Sequence, residues 1–370
     1  MNPLVRLGSL GQSVWLDFIR RGMLESGALG RLIGEDGVRG VTSNPAIFEK
    51  AILETDDYRE PVRKLLAMRR SPADIYRQLT VEDVRAAADL LRPVYDRLEG
   101  TDGFVSLEVS PHLARDTAGT VDEARRLWAT VERPNLLVKV PGTREGLPAI
   151  RELIAEGVNV NVTLLFSLER YRQVAEAYLL GLEDRVARSR SLERVASVAS
   201  FFLSRIDVVV DPLLERKSAE GGPAGKLAAS LRGHVAVASA KAAYGIYREL
   251  QAGERFRRLA VRGARSQRLL WASTGTKNPA YSDVKYVEAL IGPETIDTMP
   301  LETLEAYRDH GEPAPRLAEG SSEAAGVLAR LGELDMDLGA VTRRLEEEGI
   351  AKFVKPYDRV MDELKARAMP

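Results

Sequence analysis

The run Leu136-Leu137-Val138-Lys139-Val140 puts a lysine inside an apolar stretch, just before a Pro-Gly break. The chain has no cysteine and only three histidines, His112, His234 and His310. That excludes disulfides, thiolate nucleophiles and Cys-type zinc sites, and leaves a multi-histidine metal centre no ligands beyond those three scattered residues. With no Ser–His pair either, a lysine on an apolar strand suggests amine nucleophilic catalysis, in which it holds a carbonyl carbon as a Schiff base. An ordinary lysine, with a pKa of about 10.4, offers little free amine at neutral pH. Apolar surroundings disfavour an ammonium and enlarge that fraction.

Schiff-base formation expels water, and the departing oxygen needs a proton. Glu108, in Val105-Ser106-Leu107-Glu108, is the candidate donor, acting directly or through a water held by Thr163. Asp17, at the end of Val14-Trp15-Leu16-Asp17, would take a proton from a substrate hydroxyl during carbon–carbon cleavage. Thr42 and Asn44 stand two residues apart, as do Ser106 and Glu108, and Asn161 and Thr163. In a strand that spacing puts both members of a pair on one face.

Each residue alone has a plainer reading. A single Asn or Thr in a strand is usually a hydrogen-bonded structural group. Lys139 reads also as an edge-strand lysine or as the ion-pair partner of Glu108. Asp17 reads also as a helix cap or a partner of Arg20 or Arg21. Repetition favours a shared pocket, because each unpaired polar group in a core costs about 1–3 kcal/mol. An anion site has candidates too: Ser273 and Lys277 in Trp271-Ala272-Ser273-Thr274-Gly275-Thr276-Lys277, and Arg205. A bidentate arginine contact suits phosphate. Arg205 would equally pair with Asp207 or Asp211, and Lys277 would equally be a solvated loop lysine.

Eight β-rich runs are available to position these residues: 13–19, 40–44, 103–110, 135–140, 157–166, 196–204, 268–274 and, more weakly, 294–299. Helical periodicity fills the intervals, with a capping box expected at Thr120-Val121-Asp122-Glu123 and a helix stop at Gly157. Alternating strands and helices in this number predict an α/β fold, a closed (β/α)8 TIM barrel, whose strand C-termini carry the site. An open doubly wound sheet is the alternative. It would normally bring a glycine-rich phosphate turn, and neither G-x-G-x-x-G nor a P-loop occurs. The reading is of one domain over 1–370, with a Gly/Pro-rich excursion at 212–233. After a linker-like GEPAPRLAEGSS, a C-terminal helical extension occupies 311–370, its last helix running from Pro356 to Ala368 and able to lie across the barrel.

Lys and Arg number 53 against 54 Asp and Glu, for a formal charge of −1. Without a basic excess no nucleic-acid surface is expected. No run approaches the roughly 18 apolar residues of a membrane span, and the N-terminus does not read as a secretory signal. The expectation is a cytoplasmic protein that needs no metal or cofactor, as a monomer or a homodimer.

Several motifs resemble those of the transaldolase family, in its longer bacterial form with a free-standing catalytic domain. These are GVTSNPAIFEKAI, VSLEVSP, LLVKVPGTREGLPAI, GVNVNVTLLFSLERY, ASVASFFLSRIDVVVD and the DTMP run near residue 300. The resemblance spans about residues 12–310 and reaches the final helix. It implies transfer of a dihydroxyacetone unit between sugar phosphates, with Lys139 as the Schiff-base lysine, Glu108 as the proton relay and Asp17 as the acid/base at the cleaved hydroxyl. Asn44 and Asn161 fall on positions that hold the dihydroxyacetone hydroxyls, and Thr163 on the one that positions water. Ser200 and Phe202 would line the pocket, while Arg205 and Ser273 match phosphate contacts. Where many relatives have S-x-R-N after the seventh strand, this chain has no arginine, and Lys277 is assigned to that contact by position. Resembling aldolases that release free dihydroxyacetone are expected to have tyrosine where this chain has Phe202. Such an aldolase, or a silent sugar-phosphate-binding barrel, is the competing reading.

Overall fold

The structure, a computed structural model, describes residues 2–368. Eight strands form one barrel: β1 (Gln12–Leu16), β2 (Gly40–Val41), β3 (Phe104–Glu108), β4 (Leu136–Pro141), β5 (Val160–Leu165), β6 (Ser197–Phe202), β7 (Arg268–Ala272) and β8 (Thr295–Met299). All pairings are parallel, neighbours in sequence are neighbours in space, and β8 closes on β1. The expected (β/α)8 barrel is therefore the observed fold. Strands covered on both faces need apolar residues throughout, and β4, β5 and β6 are buried at every position. Gly40 has a specific reason. Its partner across β1–β2 is Trp15, and a Cβ at residue 40 would come within 2.3 Å of the indole.

Gly157 ends the helix Gly146–Glu156 with φ +91°, as expected of a left-handed glycine cap. The expected capping box does not form. The helix Thr117–Val131 starts one turn earlier, with the Asp116 side chain accepting from the Gly119 amide. Thr120 instead donates to the Leu113 carbonyl, and Glu123 accepts from the Ser110 amide. Asp116 offers a strong cap upstream, so the Thr120 pattern is used inside the helix.

Residues 212–233 are mostly helical. The helix Ser204–Ala219 runs through Pro212, and a second helix follows over Gly222–Leu231. The break falls at Gly221 and Gly222, both at positive φ. The last helix likewise starts well before Pro356: it spans Leu338–Ala368 with that proline inside. It packs on the helices Pro45–Glu54, Pro72–Arg97 and Ser204–Ala219 and on β5, which brings it over the C-terminal end of the strands. Among the described residues no helix is long and apolar enough to cross a membrane.

Candidate active site

Parallel register aligns Glu108 of β3, Lys139 of β4 and Asn161 of β5 in one row across the barrel, with Thr163 opposite Pro141 one step further along. Lys139 is 4% exposed. Its Nζ donates to the Ser43 carbonyl at 3.1 Å and lies 3.3 Å from Glu108 Oε2, a buried ion pair. Among the described residues neither Glu108 oxygen has a hydrogen-bond partner of good geometry, and the Thr163 hydroxyl has none at all. Burial pushes the Glu108 carboxyl above its ordinary value, and the Lys139 charge offsets only part of that.

The backbone is strained where it presents these groups. β5 changes register against β6 between Val162 and Leu165, and Leu164 inside that bulge has φ +63°. Ser273, just past β7, has φ +55°. Left-handed conformations at non-glycine residues cost of order 1–3 kcal/mol and cluster at functional sites.

Asp17, just past β1, accepts from the Thr42 hydroxyl at 2.7 Å. Burial raises its carboxyl too, against the opposing effects of Lys139, Thr42 and Arg205. The plainer readings of Asp17 do not hold: the helix Arg21–Glu25 has its N-cap at Arg20 with no side-chain cap, Arg20 pairs with Asp57, and Arg21 pairs with Glu82 and Asp83. The same is true of Arg205. Asp207 is taken by the Ala236 amide, Tyr286 and Lys285, and Asp211 by the Gly233 amide and Tyr281. Arg205 has no ion-pair partner among the described residues, and its Nη1 is buried without a hydrogen bond. Its guanidinium stacks 5.3 Å from the Phe202 ring.

Asp17, Thr42, Asn44, Lys139 and Thr163 face one cavity, and Ser200, Phe202, Arg205 and Ser273 complete its opposite wall. Asn44 has a structural duty as well. Its Oδ1 caps the helix Pro45–Glu54 by accepting from the amides of Ala46 and Ile47, which leaves its NH2 for a ligand. Glu108, Asn161 and Ser106 do not line the cavity: Glu108 lies behind Lys139. Asn161 and Ser106 form a buried chain in which Ser200 donates to Asn161, and Asn161 donates to Ser106. Lys277 is exposed on the loop after β7 and also lies outside the lining.

Three lining residues escaped the sequence reading, the small Ala272 at the end of β7 among them. Thr298 of β8 shares a 2.7 Å hydrogen bond with Thr42, and alternation from Ile296 would have found it. Phe353 reaches the cavity from the C-terminal helix. In sequence it is one apolar residue on an amphipathic helix, with nothing to separate it from core.

The arrangement offers a buried amine beside a protonatable carboxyl, a second carboxyl across the cavity and an unpaired guanidinium at its wall. That set can form an imine, move protons around it and hold an anion. Comparison with known proteins agrees. The profile of the family described as Transaldolase/Fructose-6-phosphate aldolase matches residues 14–364. A transaldolase of Thiobacillus denitrificans is 50% identical over 367 residues, covering 98% of this chain and 100% of that one. Those of Saccharopolyspora erythraea and Trichodesmium erythraeum are 48% and 44% identical over 363 and 371 residues. They cover 98% and 99% of this chain, and 96% and 97% of their own.

Proposed function

The chain belongs to the family of transaldolases and fructose-6-phosphate aldolases, and on that premise we propose that it is a transaldolase of the non-oxidative pentose phosphate pathway. It carries a dihydroxyacetone unit on Lys139 from sedoheptulose 7-phosphate to glyceraldehyde 3-phosphate, giving erythrose 4-phosphate and fructose 6-phosphate. The observation that carries this reading is the Lys139–Glu108 pair: Lys139 lines the cavity, and Glu108 is buried behind it with no hydrogen-bond partner for either carboxylate oxygen among the described residues.

In this mechanism the Lys139 amine adds to the ketose carbonyl, and Glu108, raised by burial, supplies the proton with which water leaves. The unpartnered Thr163 hydroxyl is suited to hold that water. Asp17 takes the proton from the substrate hydroxyl as the carbon–carbon bond breaks, and Thr42 fixes the carboxylate that does so. An aldose phosphate departs, and three carbons remain on Lys139 as an enamine. Asn44 and Ser200 bind hydroxyls of that unit, with Asn161 and Ser106 holding Ser200 in place. Arg205 and Ser273 receive the phosphate. Phe202 presents no hydroxyl to protonate the enamine, which favours transfer over release. A cytoplasmic location fits phosphorylated substrates.

The test is borohydride reduction in the presence of fructose 6-phosphate, followed by peptide mass spectrometry. A reduced three-carbon adduct on Lys139 is expected. Turnover with no adduct at that residue would end the reading.

A further inference from the structure

The ring of Phe353 is 4% exposed, with its centroid 5.5 Å from Lys139 Nζ and 5.9 Å from Arg205 Cζ. It therefore covers both the amine that would hold the carbon unit and the cation that would hold phosphate. One turn earlier on the same helix, Gly349 sits close against the barrel. A Cβ there would lie 3.0 Å from Leu164 and 3.5 Å from Phe166, so the helix is pressed against the end of β5. Phe353 faces two cations instead.

With the ring in place the cavity has a water-accessible volume of about 50 Å³. One water needs about 10–15 Å³ on this measure, so the space holds a few waters and no sugar phosphate. The lining must open for substrate to enter, and the ring that covers both cations is the group placed to yield. The helix is weakest beside it, because Pro356 lacks the amide that would bond the Lys352 carbonyl, one residue before Phe353.

We propose that Phe353 is a specificity-determining residue whose ring withdraws to admit sugar phosphate and returns over the Lys139 adduct to keep water from it. The proposal rests on the Schiff-base reading above. Once an aldose has left, the enamine has two fates. In transfer, its nucleophilic carbon forms a carbon–carbon bond to the acceptor aldehyde, whose oxygen takes a proton, and water then frees the new ketose from Lys139. In release, the same carbon takes a proton, water adds to the resulting imine, and the C–N bond breaks to give free dihydroxyacetone and the lysine amine. Water kept out while the enamine waits slows its protonation, the step that only release needs, and the ring's withdrawal for acceptor and product admits the water that ends transfer.

The experiment compares Phe353→Ala with the milder Phe353→Leu. For each, dihydroxyacetone release from fructose 6-phosphate alone is measured beside production of sedoheptulose 7-phosphate with erythrose 4-phosphate added. The ratio of release to transfer should rise about tenfold in Phe353→Ala and less in Phe353→Leu, with the borohydride adduct on Lys139 retained. A merely structural role would lower both rates together. An unchanged ratio with the adduct intact overturns the proposal, and if the alanine variant fails to fold, the leucine variant decides. Absence of the adduct in the wild-type protein is a different result, which sinks the Schiff-base reading itself.

Discussion

Asp102 and Glu108 are buried acids at opposite ends of β3, and their surroundings differ in kind. Asp102 accepts from Ser13, from the Trp15 indole at 2.8 Å and from the Gly103 amide, and it pairs with Arg268 at 3.5 Å. Glu108 has Lys139 at 3.3 Å and, among the described residues, no hydrogen-bond partner. β5 repeats the contrast. Before it, Asn159 donates to the carbonyls of Pro134 and Leu136 and accepts from the Ala196 amide. Near its end, the Thr163 hydroxyl has no partner. The pairing at the N-terminal end is not complete, since Gln12, Asn135 and Gln267 each keep an unbonded amide oxygen, but its charged group is satisfied. One end of the barrel spends its polar side chains on holding strands together. The other leaves charges unsatisfied at a cavity, as a site awaiting substrate must.

If that division is right, substitutions at the two ends should fail in different assays. Lys139→Arg is expected to lose activity by at least about 10³-fold, because a guanidinium cannot form the imine, while the melting temperature holds. Near-normal turnover by the folded variant would break the comparison at its strongest point. Asp102→Ala should do the reverse. It strands Trp15, Ser13 and Arg268, and urea denaturation should show a loss of about 3–5 kcal/mol, with turnover per folded molecule unchanged.

Arg205→Leu should raise KM for phosphorylated substrates by about ten- to a hundredfold, the worth of about 1.5–3 kcal/mol for a charged contact. It should not lower the melting temperature, since the arginine satisfies no neighbour. A loss of stability with unchanged KM would move Arg205 into the structural class. Asp297 sharpens the comparison from a third place, the layer between β8 and the helices. It is fully buried, and burial pushes its carboxyl up to about 8. The native state then holds a proton that the unfolded chain releases near pH 4, so this group lowers stability as pH rises from about 4 to about 8. Asp297→Asn should remove that loss. Its melting temperature should match wild type near pH 4 and exceed it by about 3 °C or more at pH 8. A gain that does not grow with pH would contradict the assignment. The smallest effect belongs to Lys277→Ala. Lys277 is exposed and outside the cavity, so KM for phosphorylated acceptors should change by less than about fivefold, and added salt should erase the change.

The strands, their order and the row of polar residues at their ends were legible because they follow local rules. A parallel strand covered on both faces must be apolar, side chains alternate with period two, and a polar residue that breaks the pattern is conspicuous. Lys139, Glu108, Asn161 and Thr163 were all found that way. Helix boundaries were less legible where two signals competed, as at Asp116 against Thr120 and at Leu338 against Pro356. Partnership was not legible at all. From the sequence, Arg205 had two neighbouring aspartates to pair with and Lys277 a plausible claim on phosphate. Only the fold assigns Asp207 and Asp211 to Tyr281, Lys285 and Tyr286, which frees the arginine, and leaves Lys277 outside the cavity. Phe353 enters from a helix more than two hundred residues beyond Lys139. Composition and periodicity set which side chains face inward, because that depends on the few residues on either side. Which charge meets which depends on distances across the closed barrel, and those exist only once it has closed.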